Sequence, residues 1–380
     1  MNILLDMITL RLKTGAGEYV RRVLRAVIEA VQHSEGEAPG LYALYDSRRG
    51  VAYADWGGQR AVERVDLNGR ALSDVVRAHR IDRIFIGCAQ YWGHLEGLAD
   101  LDCEVLCVVH DLGYEETAAN RLNIWSRLGD SAFPSLYYAA KRYWRKDPHL
   151  ELIKPFVSLS RKNPGFRFVA VSDFTRMSLR YHYGVDPASV PVLYSPARDI
   201  FSSSRTECEE LEALVRSGRR YYLLISADRP MKNAAKAIKA FGRFSSLHPD
   251  ILLVTVGNVR KTVQNQVVLP FLSEADLDRA YRNCYALIYP SLMEGFGYPP
   301  LEAMKYGKPV LCSNVCSMPE ILGDAPIYFS PFYETDIFRA LHVLRDDNYA
   351  FFAERSRSRQ AEVAQRQVAD LNTLVHMILK

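Results

Sequence analysis

The chain has 380 residues, of which 48% are hydrophobic and 24% are charged, and its formal net charge at pH 7 is +4. A chain of this length exceeds what one hydrophobic core usually supports, so two domains are expected, and no apolar run reaches the length of a membrane span. The weak positive charge argues against a nucleic-acid partner, and seven cysteines without a CxxC pair argue against structural zinc and indicate a reducing compartment.

Strand-like runs alternate with helix-length segments along the chain, which predicts an α/β protein with parallel sheets built from β-α-β units. The strands predicted in the first half are Ile3–Ile8, Leu41–Tyr45, Arg83–Gly87, Glu104–Val109, Arg167–Val171 and Val190–Tyr194. The strands predicted in the second half are Tyr221–Ser226, Ile251–Gly257, Gln266–Leu269, Tyr285–Tyr289, Pro309–Cys312 and Pro326–Phe329. Each set could form one doubly wound, Rossmann-like domain. Serines at 202–204 indicate a linker, so the predicted domains are residues 1–195 and 196–350.

The apolar start of the chain, residues 2–10, is short and lacks a basic leader, so it is predicted to be a strand rather than a signal peptide. A glycine-rich turn follows, with Gly15 and Gly17 opening a helix, where backbone amides can approach a phosphate or a sugar. The match to a dinucleotide fingerprint is incomplete because Val20 stands where the third glycine would be. Asp46, after the second strand, could still hold the ribose of NAD, so a dinucleotide oxidoreductase stays open.

His110 and Asp111 follow the apolar strand that ends at Val109. A histidine at a strand end is often structural or simply solvated, and a contact with a ligand is the alternative. Later in this half, Ser172 or Asp173 is predicted to cap a helix.

Basic and aromatic residues alternate between Phe133 and Lys146, a composition that suits a membrane interface. An ordinary amphipathic helix packed on the first domain fits the pattern equally well. We hypothesise that this segment faces an acceptor molecule, including a lipid-linked saccharide, and makes a peripheral contact with the inner membrane.

Two cations, Arg229 and Lys232, and the amide Asn233 follow the first strand of the second domain and precede a helix. Positive charges in this position can neutralise a diphosphate leaving group. The structural alternative is a basic helix start, which the helix dipole slightly disfavours. The pattern therefore favours a functional role.

Two acids, Glu294 and Glu302, are separated by seven residues between two strand candidates. The turn Gly295–Gly297 lets a ligand approach the main chain, and Pro299-Pro300 marks a helix start that places Glu302 in the first helical turn. Gly307 suits the end of the same helix. Two acids at this spacing alone would favour a solvated strand-loop-helix. The glycines, prolines and apolar flanks favour a ligand site at the carboxyl edge of a sheet.

This segment resembles the E-x7-E signature of retaining glycosyltransferases of the GT-B fold. They form a large family (glycosyltransferase family 4, glycosyl transferases group 1) that includes glycogen and sucrose synthases and many bacterial polysaccharide mannosyl- and glucosyltransferases. The commonest family form resembles E-G-F-G-x-P-x-x-E, which Glu294 to Glu302 match almost completely. Weaker resemblance extends over residues 165–195 and 221–235, and Gly15, Gly17 and Tyr19 match part of the family's first loop.

The resemblance implies two Rossmann-like domains facing each other across a cleft, with residues 351–380 as a last helix that could cross back onto the first domain. It implies that Glu294 contacts donor-sugar hydroxyls, that His110 positions the sugar, and that Lys232 and Arg229 stabilise the diphosphate. The family's usual arginine is replaced by Ala227, so Arg229 departs from the pattern. The donor-binding residues implied are Gly15, Gly17, Asp111, Asn233, Gly295, Phe296, Gly297, Tyr298 and Glu302, the last contacting the nucleotide ribose.

The implied function is retaining, metal-independent transfer of a hexose, of mannose or glucose type, from a UDP- or GDP-linked sugar to an acceptor hydroxyl. The implied setting is assembly of bacterial polysaccharide, O-antigen, lipopolysaccharide or glycolipid, in the cytoplasm or at the cytoplasmic face of the membrane, with no cofactor beyond the nucleotide sugar. The alternatives are a GT-B sugar-nucleotide epimerase or phosphorylase-like enzyme, a non-catalytic nucleotide-sugar binding protein, and the dinucleotide oxidoreductase.

Overall fold

The computed structural model describes residues 1–11, 14–34, 38–49, 62–113, 115–116, 152–198, 208–259 and 262–380. They divide into two compact units. Of the described residues, unit 1 holds those up to Glu116, those from 152 to Arg198, and Arg366–Lys380. Unit 2 holds those from 208 to Gln365. The division therefore falls after Arg198, and the boundary predicted from sequence lies after residue 195. The aromatic and basic segment from Phe133 to Lys146 and the serines at 202–204 lie outside the described residues.

Within its described residues, unit 1 is built on a parallel sheet of six strands in the order β3-β2-β1-β4-β5-β6. The strands are β1 Asn2–Asp6, β2 Gly40–Tyr45, β3 Val62–Asp66, β4 Arg83–Ile86, β5 Glu104–Val109 and β6 Phe166–Ala170. The helices are α1 Gly15–Gln32, α2 Leu72–Ala78, α3 Lys154–Lys162 and α4 Asp173–Tyr183. Leu4 in β1 pairs with Tyr42 on one side and Ile84 on the other, so the strand order reverses between β1 and β4.

Unit 2 repeats this plan with a parallel sheet in the order β12-β11-β10-β7-β8-β9. The strands are β7 Tyr221–Leu224, β8 Leu252–Val256, β9 Gln266–Leu269, β10 Ala286–Tyr289, β11 Val310–Ser313 and β12 Ile327–Phe329. The helices are α5 Glu209–Arg216, α6 Ala234–Ser245, α7 Glu274–Asn283, α8 Tyr298–Lys305, α9 Met318–Leu322, α10 Glu334–Val343 and α11 Tyr349–Leu379. Here the strand order reverses between β7 and β10, where Leu223 pairs with Leu287.

Burial explains why these segments form central strands. All of β4, β7, β8, β10 and β11 is buried, as expected for parallel strands covered by helices on both faces. The helix ends follow local sequence: Ser172 accepts a hydrogen bond from the amide of Thr175, and Gly184 ends the same helix in the left-handed conformation. Ser172 is thus the cap predicted as one of two choices.

The last helix, α11, has 31 residues and makes contacts in each unit. In unit 2, Arg359 donates to the carbonyls of Ile321 and Glu320 at 2.9 and 2.8 Å. In unit 1, Gln367 donates to the carbonyl of Ser195 at 2.6 Å, and Asp370 accepts from the amide of Tyr194 at 2.8 Å. Throughout the described ranges, none of the helices is long and apolar enough to cross a membrane.

Two strand predictions differ from the structure. The predicted strand Val190–Tyr194 is wrong, because only an isolated bridge joins Val192 to Ala170. Pro191 has no amide hydrogen to donate, and a ladder cannot continue through it. The strand β3 was not predicted, because Glu63 and Arg64 interrupt its apolar pattern; both are exposed on an edge strand.

Candidate functional site

Unit 2 brings together the loops that follow β7, β10 and β11. Lys232 follows β7, Glu294 follows β10, and Ser317 follows β11. Because β7 and β10 flank the reversal of strand order, their carboxyl ends leave an opening where ligands bind in α/β proteins. The two groups predicted to act on the donor therefore meet at the expected edge of this sheet.

One carboxylate oxygen of Glu294 accepts three hydrogen bonds. Its Oε1 accepts from Lys232 Nζ, from the Ser291 hydroxyl, and from the Tyr289 hydroxyl at 2.7 Å. Lys232 Nζ also donates to the Tyr289 hydroxyl at 2.6 Å. The side chains of Lys232 and Glu294 are 15% and 13% exposed, so a ligand can reach both groups.

Tyr289 and Ser317 are two members of this cluster that sequence reasoning missed. Burial, followed by the negative charge of Glu294, raises the pKa of Tyr289 well above its usual value, so its hydroxyl stays protonated. Ser317 Oγ donates to the Glu294 backbone carbonyl at 2.9 Å and so fixes the main chain of this loop. A polar atom at the last position of an apolar strand was the available signal for Tyr289.

The loop between β7 and α6 contains two strained residues. Ser226 and Asn233 both have φ of 53°, in the left-handed region. Asn233 is buried, and its Nδ2 donates to the carbonyl of Pro331 at 2.8 Å, which holds the loop against the end of β12. Arg229, by contrast, is exposed, and no described residue forms a side-chain hydrogen bond or ion pair with it. The structure therefore does not join Arg229 to the Lys232–Glu294 cluster.

The turn from Gly295 to Gly297 leads into α8. Gly297 has φ of 89°, and a Cβ there would lie 2.3 Å from Met318 Cε, so only glycine fits without strain. Phe296 is buried, and its ring lies 5.6 Å from that of Tyr298, the first helical residue. Because Pro299 and Pro300 have no amide hydrogens, the first turn of this helix offers few donors to an anion.

Glu302 lies on α8 but not where the sequence placed it. The helix begins at Tyr298, one residue before the prolines, so Glu302 is its fifth residue. The predicted place in the first helical turn is therefore wrong. Glu302 is 7% exposed, which makes it a nearly buried acid close to the Gly297 turn. Gly307 follows the helix with φ of 64°, as predicted for its end.

His110 lies at the carboxyl end of β5 in unit 1. Its Nε2 is 2.9 Å from the carbonyl oxygen of Gly87, and its ring meets the ring of Tyr19 edge to face at 4.7 Å. Burial lowers the pKa of His110 to about 4, although the contact with Gly87 opposes the shift. The imidazole is therefore neutral at physiological pH. Thr175 fixes the backbone by donating to the His110 carbonyl at 3.0 Å.

The remaining predicted residues of unit 1 lie close to these elements. Gly15 is the first residue of α1, and Gly17 donates its amide to the Thr14 hydroxyl at 3.4 Å, which caps the helix as the glycine-rich turn predicts. Tyr19, two residues on, connects this turn to His110. Asp111 accepts from the amide of Gly113 at 2.8 Å.

Asp6 is a buried acid at the carboxyl end of β1 that the sequence analysis did not single out. It accepts from the Thr9 amide at 3.0 Å, from the Thr9 hydroxyl at 2.6 Å and from the Gly87 amide at 3.0 Å. Burial raises its pKa, while these hydrogen bonds oppose the shift. The signal was present, since Asp6 is the acid that ends an otherwise apolar strand.

Asp46 is engaged by two arginines. Its carboxylate oxygens lie 3.2 Å from Arg48 Nε and 3.2 Å from Arg49 Nε. Burial opposes ionisation, but hydrogen bonds and charge from Arg48 outweigh it and lower the pKa of Asp46. Both oxygens already have cationic partners, which argues against the open ribose site of a dinucleotide oxidoreductase. Over the residues described, His, Cys, Asp and Glu side chains form no cluster of three that could hold a metal ion.

Residues 209–331, which contain the Lys232–Glu294 cluster, match the family model described as glycosyl transferases group 1. O-antigen chain mannosyltransferase B of Escherichia coli is 30% identical over 203 residues, covering 48% of this chain and 52% of the relative. O-antigen chain mannosyltransferase RfbU of Salmonella typhimurium is 29% identical over 173 residues, covering 43% of this chain and 46% of the relative. The chain thus spans about half the length of the curated relatives it matches here.

Solved structures match the fold over nearly the whole chain. WaaG, a glycosyltransferase involved in lipopolysaccharide biosynthesis, superposes with a TM-score of 0.65 at 15% identity, covering 98% of this chain and 99% of that chain. The structure of Anabaena Alr3699/HepE in complex with UDP-glucose superposes with a TM-score of 0.62 at 16% identity. It covers 100% of this chain and 99% of that chain. Identity this low supports the fold alone. The predicted fold class of two Rossmann-like domains, that of GT-B glycosyltransferases, is confirmed.

Proposed function

We propose that the protein, whose residues 209–331 match the glycosyl transferases group 1 model and whose fold is GT-B, is a retaining hexosyltransferase. It would move a sugar from a nucleotide diphosphate donor to an acceptor hydroxyl in bacterial polysaccharide or O-antigen assembly. The observation that carries the proposal is the Glu294 carboxylate held by Lys232, Tyr289 and Ser291, in the loop that leads to the helix carrying the buried Glu302.

A mannosyl donor is the first candidate for the transferred sugar. The curated relatives named above are described as O-antigen chain mannosyltransferases. A solved structure of similar fold is described with UDP-glucose, so glucosyl donors belong in the same test. UDP- and GDP-linked mannose and glucose are therefore the donors to compare. The acceptor would be a saccharide or a lipid-linked saccharide, met at the cytoplasmic face of the membrane.

Each described group has a role that suits this reaction. Departure of the sugar leaves negative charge on the diphosphate, and Lys232 is the ammonium poised to stabilise it. Glu294 would position donor-sugar hydroxyls rather than attack the sugar, which accords with retention on one face. Glu302 would accept hydrogen bonds from the ribose, and His110 would contact the sugar. The two prolines of α8 leave few amide donors there, so Lys232 would carry most of the charge stabilisation in the metal-independent reaction that we propose.

The test is transfer assayed with each of the four donors and a polysaccharide acceptor extract, with product stereochemistry read by NMR. We expect one donor to support transfer with retained anomeric configuration, at an unchanged rate in EDTA. Lys232→Ala and Glu294→Ala should each lower the rate at least about 100-fold, the scale of a lost transition-state contact. Lys239→Ala is the matched control, because Lys239 is an exposed lysine that pairs with Glu334 at 2.8 Å.

Calorimetric titration separates the rival functions. Tight nucleotide binding by wild type, weakened in Glu302→Ala, with no transfer to any acceptor, would identify a non-catalytic binding protein. Analysis of the products adds a second distinction, because release of an epimerised nucleotide sugar would identify an epimerase. Absence of nucleotide binding by the folded protein would overturn the proposal.

A further inference from the structure

Three loops of unit 1 converge on His110. They follow β1, β4 and β5, and they contribute Asp6, Gly87 and His110 respectively. Asp6 accepts from the Gly87 amide at 3.0 Å, and the Gly87 carbonyl lies 2.9 Å from His110 Nε2. Two hydrogen bonds therefore link the buried acid to the histidine through Gly87, whose amide hydrogen and carbonyl oxygen belong to the peptide groups before and after its Cα.

The partner of Nε2 determines the tautomer of His110. A carbonyl oxygen can only accept, so the contact with Gly87 requires the proton to be on Nε2. In the neutral ring Nδ1 then carries a lone pair. His110 is partly exposed, and no residue of the described ranges hydrogen-bonds to its Nδ1. The ring therefore presents an acceptor to whatever approaches from solvent.

The position of Gly87 is fixed on two sides. A Cβ at this residue would lie 2.3 Å from Val20 Cγ2, so the backbone is in close contact with α1. On the other side its amide is held by Asp6. The Gly87 carbonyl belongs to the next peptide group and turns about the Cα–C bond. The hydrogen bond that the Gly87 amide donates to Asp6, together with the crowded Cα, therefore restricts the positions from which this carbonyl can accept from Nε2.

Asp6 is itself held rigidly. It has 0% exposure, and Thr9 supplies two of its hydrogen bonds, one from the amide and one from the hydroxyl. A buried carboxylate is costly unless its oxygens are satisfied, so retaining an acid here when an apolar residue would fill a strand end needs an explanation. The hydrogen bond that Asp6 accepts from the Gly87 amide is such an explanation, because it anchors the main chain next to His110.

We infer that Asp6 is a positioning residue, which acts through Gly87 to hold His110 as the Nε2–H tautomer with Nδ1 free to accept from a hydroxyl. This assigns to the His110 subsite a neutral, hydroxyl-donating ligand and excludes a phosphate, which would need a donor. That the hydroxyl belongs to the transferred sugar rests on the proposed function. The tautomer of His110 and its dependence on Asp6 are independent of the proposed function.

The test is imidazole ¹⁵N NMR on histidine-labelled protein, with His110 assigned from the His110→Gln variant. Wild type at neutral pH should show a protonated Nε2 and an unprotonated Nδ1. In Asp6→Asn the NH₂ group must face either the Thr9 amide or the Gly87 amide, since the carboxylate accepts from one on each oxygen. Either orientation weakens the anchoring of Gly87, so His110 should shift towards a mixture of tautomers. For active protein, kcat/KM should fall by about tenfold, the effect of one lost charge-assisted hydrogen bond.

Thr9→Val is the matched control. It removes the hydroxyl that donates to Asp6 but keeps the Gly87 contact, so it should lower stability without changing the His110 signals. An Nδ1–H or doubly protonated ring in wild type would overturn the inference, whether or not Asp6→Asn folds. So would equal shifts in Asp6→Asn and Thr9→Val. Because the NMR signals are read without substrate, absence of transfer activity would overturn only the proposed function.

Discussion

At the residue scale, the Lys232–Glu294 pair would have to change partners when a donor binds as we propose. In the structure the ammonium is shared between the Glu294 carboxylate and the Tyr289 hydroxyl. A diphosphate oxygen would compete for the same ammonium, and the carboxylate would keep its two hydroxyl donors, Tyr289 and Ser291. The cluster can therefore release Lys232 to the leaving group without leaving Glu294 unsatisfied, which lowers the cost of reorganisation on binding.

His110 should make stability depend on pH. Its pKa is about 4 in the folded protein and about 6.5 when unfolded, so the unfolded chain binds the proton more readily. The stability that the neutral ring contributes is complete above about pH 6.5 and is lost as the pH falls towards 4. Urea midpoints of wild type and His110→Gln should therefore differ more at about pH 7.5 than at about pH 5.

The histidine His33 supplies the control for this pH dependence. It lies exposed at the end of α1, where Nδ1 contacts the Glu29 carbonyl. His33→Gln, measured at the same two pH values, shows what replacement of an exposed histidine does to the urea midpoint. The urea midpoints of wild type and His110→Gln should lie closer together at the lower pH. If they do not, the lowered pKa of His110 in the folded protein is contradicted.

At the element scale, the entry into α8 depends on Gly297. The left-handed φ of 89° and the 2.3 Å approach of a Cβ to Met318 Cε both oppose any larger residue. Gly297→Ala should therefore destabilise unit 2 by about 1–3 kcal/mol, mainly through the strained backbone and partly through displacement of the flexible end of the buried Met318 side chain. It should also weaken nucleotide binding, because the helix that carries Glu302 begins at this turn. Denaturant unfolding and calorimetry measure the two effects.

Gly218 allows the strain and the contact to be separated. Its φ is 65°, but a Cβ there would meet nothing within 4 Å. Gly218→Ala should cost only the left-handed strain, about 1 kcal/mol, and leave nucleotide binding unchanged. If the two alanine variants were equally stable, the close contact with Met318 would not be a real constraint.

Local sequence predicted most elements because apolar strand runs are bounded by polar or glycine residues. The helix Glu274–Asn283 begins after Ser273, whose hydroxyl accepts from the Asp276 amide at 3.2 Å, so its start follows from a local capping residue. Errors occurred where the signal was weak. The edge strand β3 has charged residues within it, and the predicted strand Val190–Tyr194 contains Pro191. Whether such a segment forms a strand depends on its position in the sheet, and its own sequence does not contain that information.

At the scale of the whole molecule, the site was predictable as a set of loops but not as a set of contacts. The sequence identified Lys232 and Glu294 because each follows a strand, and parallel strands end at one edge. It did not show that β10 lies beside β7, which is what brings these two loops together. Likewise, the link from Asp6 to Gly87 depends on β4 lying beside β1. Strand order arises from packing of the complete sheet.

The far end of α11 should loosen when one acid is removed. Asp370 accepts from the Tyr194 amide at 2.8 Å and from Arg366 Nε at 3.2 Å, so it ties this helix to the segment that follows β6. Asp370→Asn should weaken both hydrogen bonds, costing about 1–2 kcal/mol. Amides of residues 366–379 should then exchange hydrogen faster than in wild type, while those of 349–365 should not change.

Glu362→Gln is the control, because its exposed pair with Arg359 lies within the helix and should leave both regions as they are. Uniform acceleration along the whole helix in Asp370→Asn would instead mean that α11 opens as a single unit and that Asp370 does not hold its end separately.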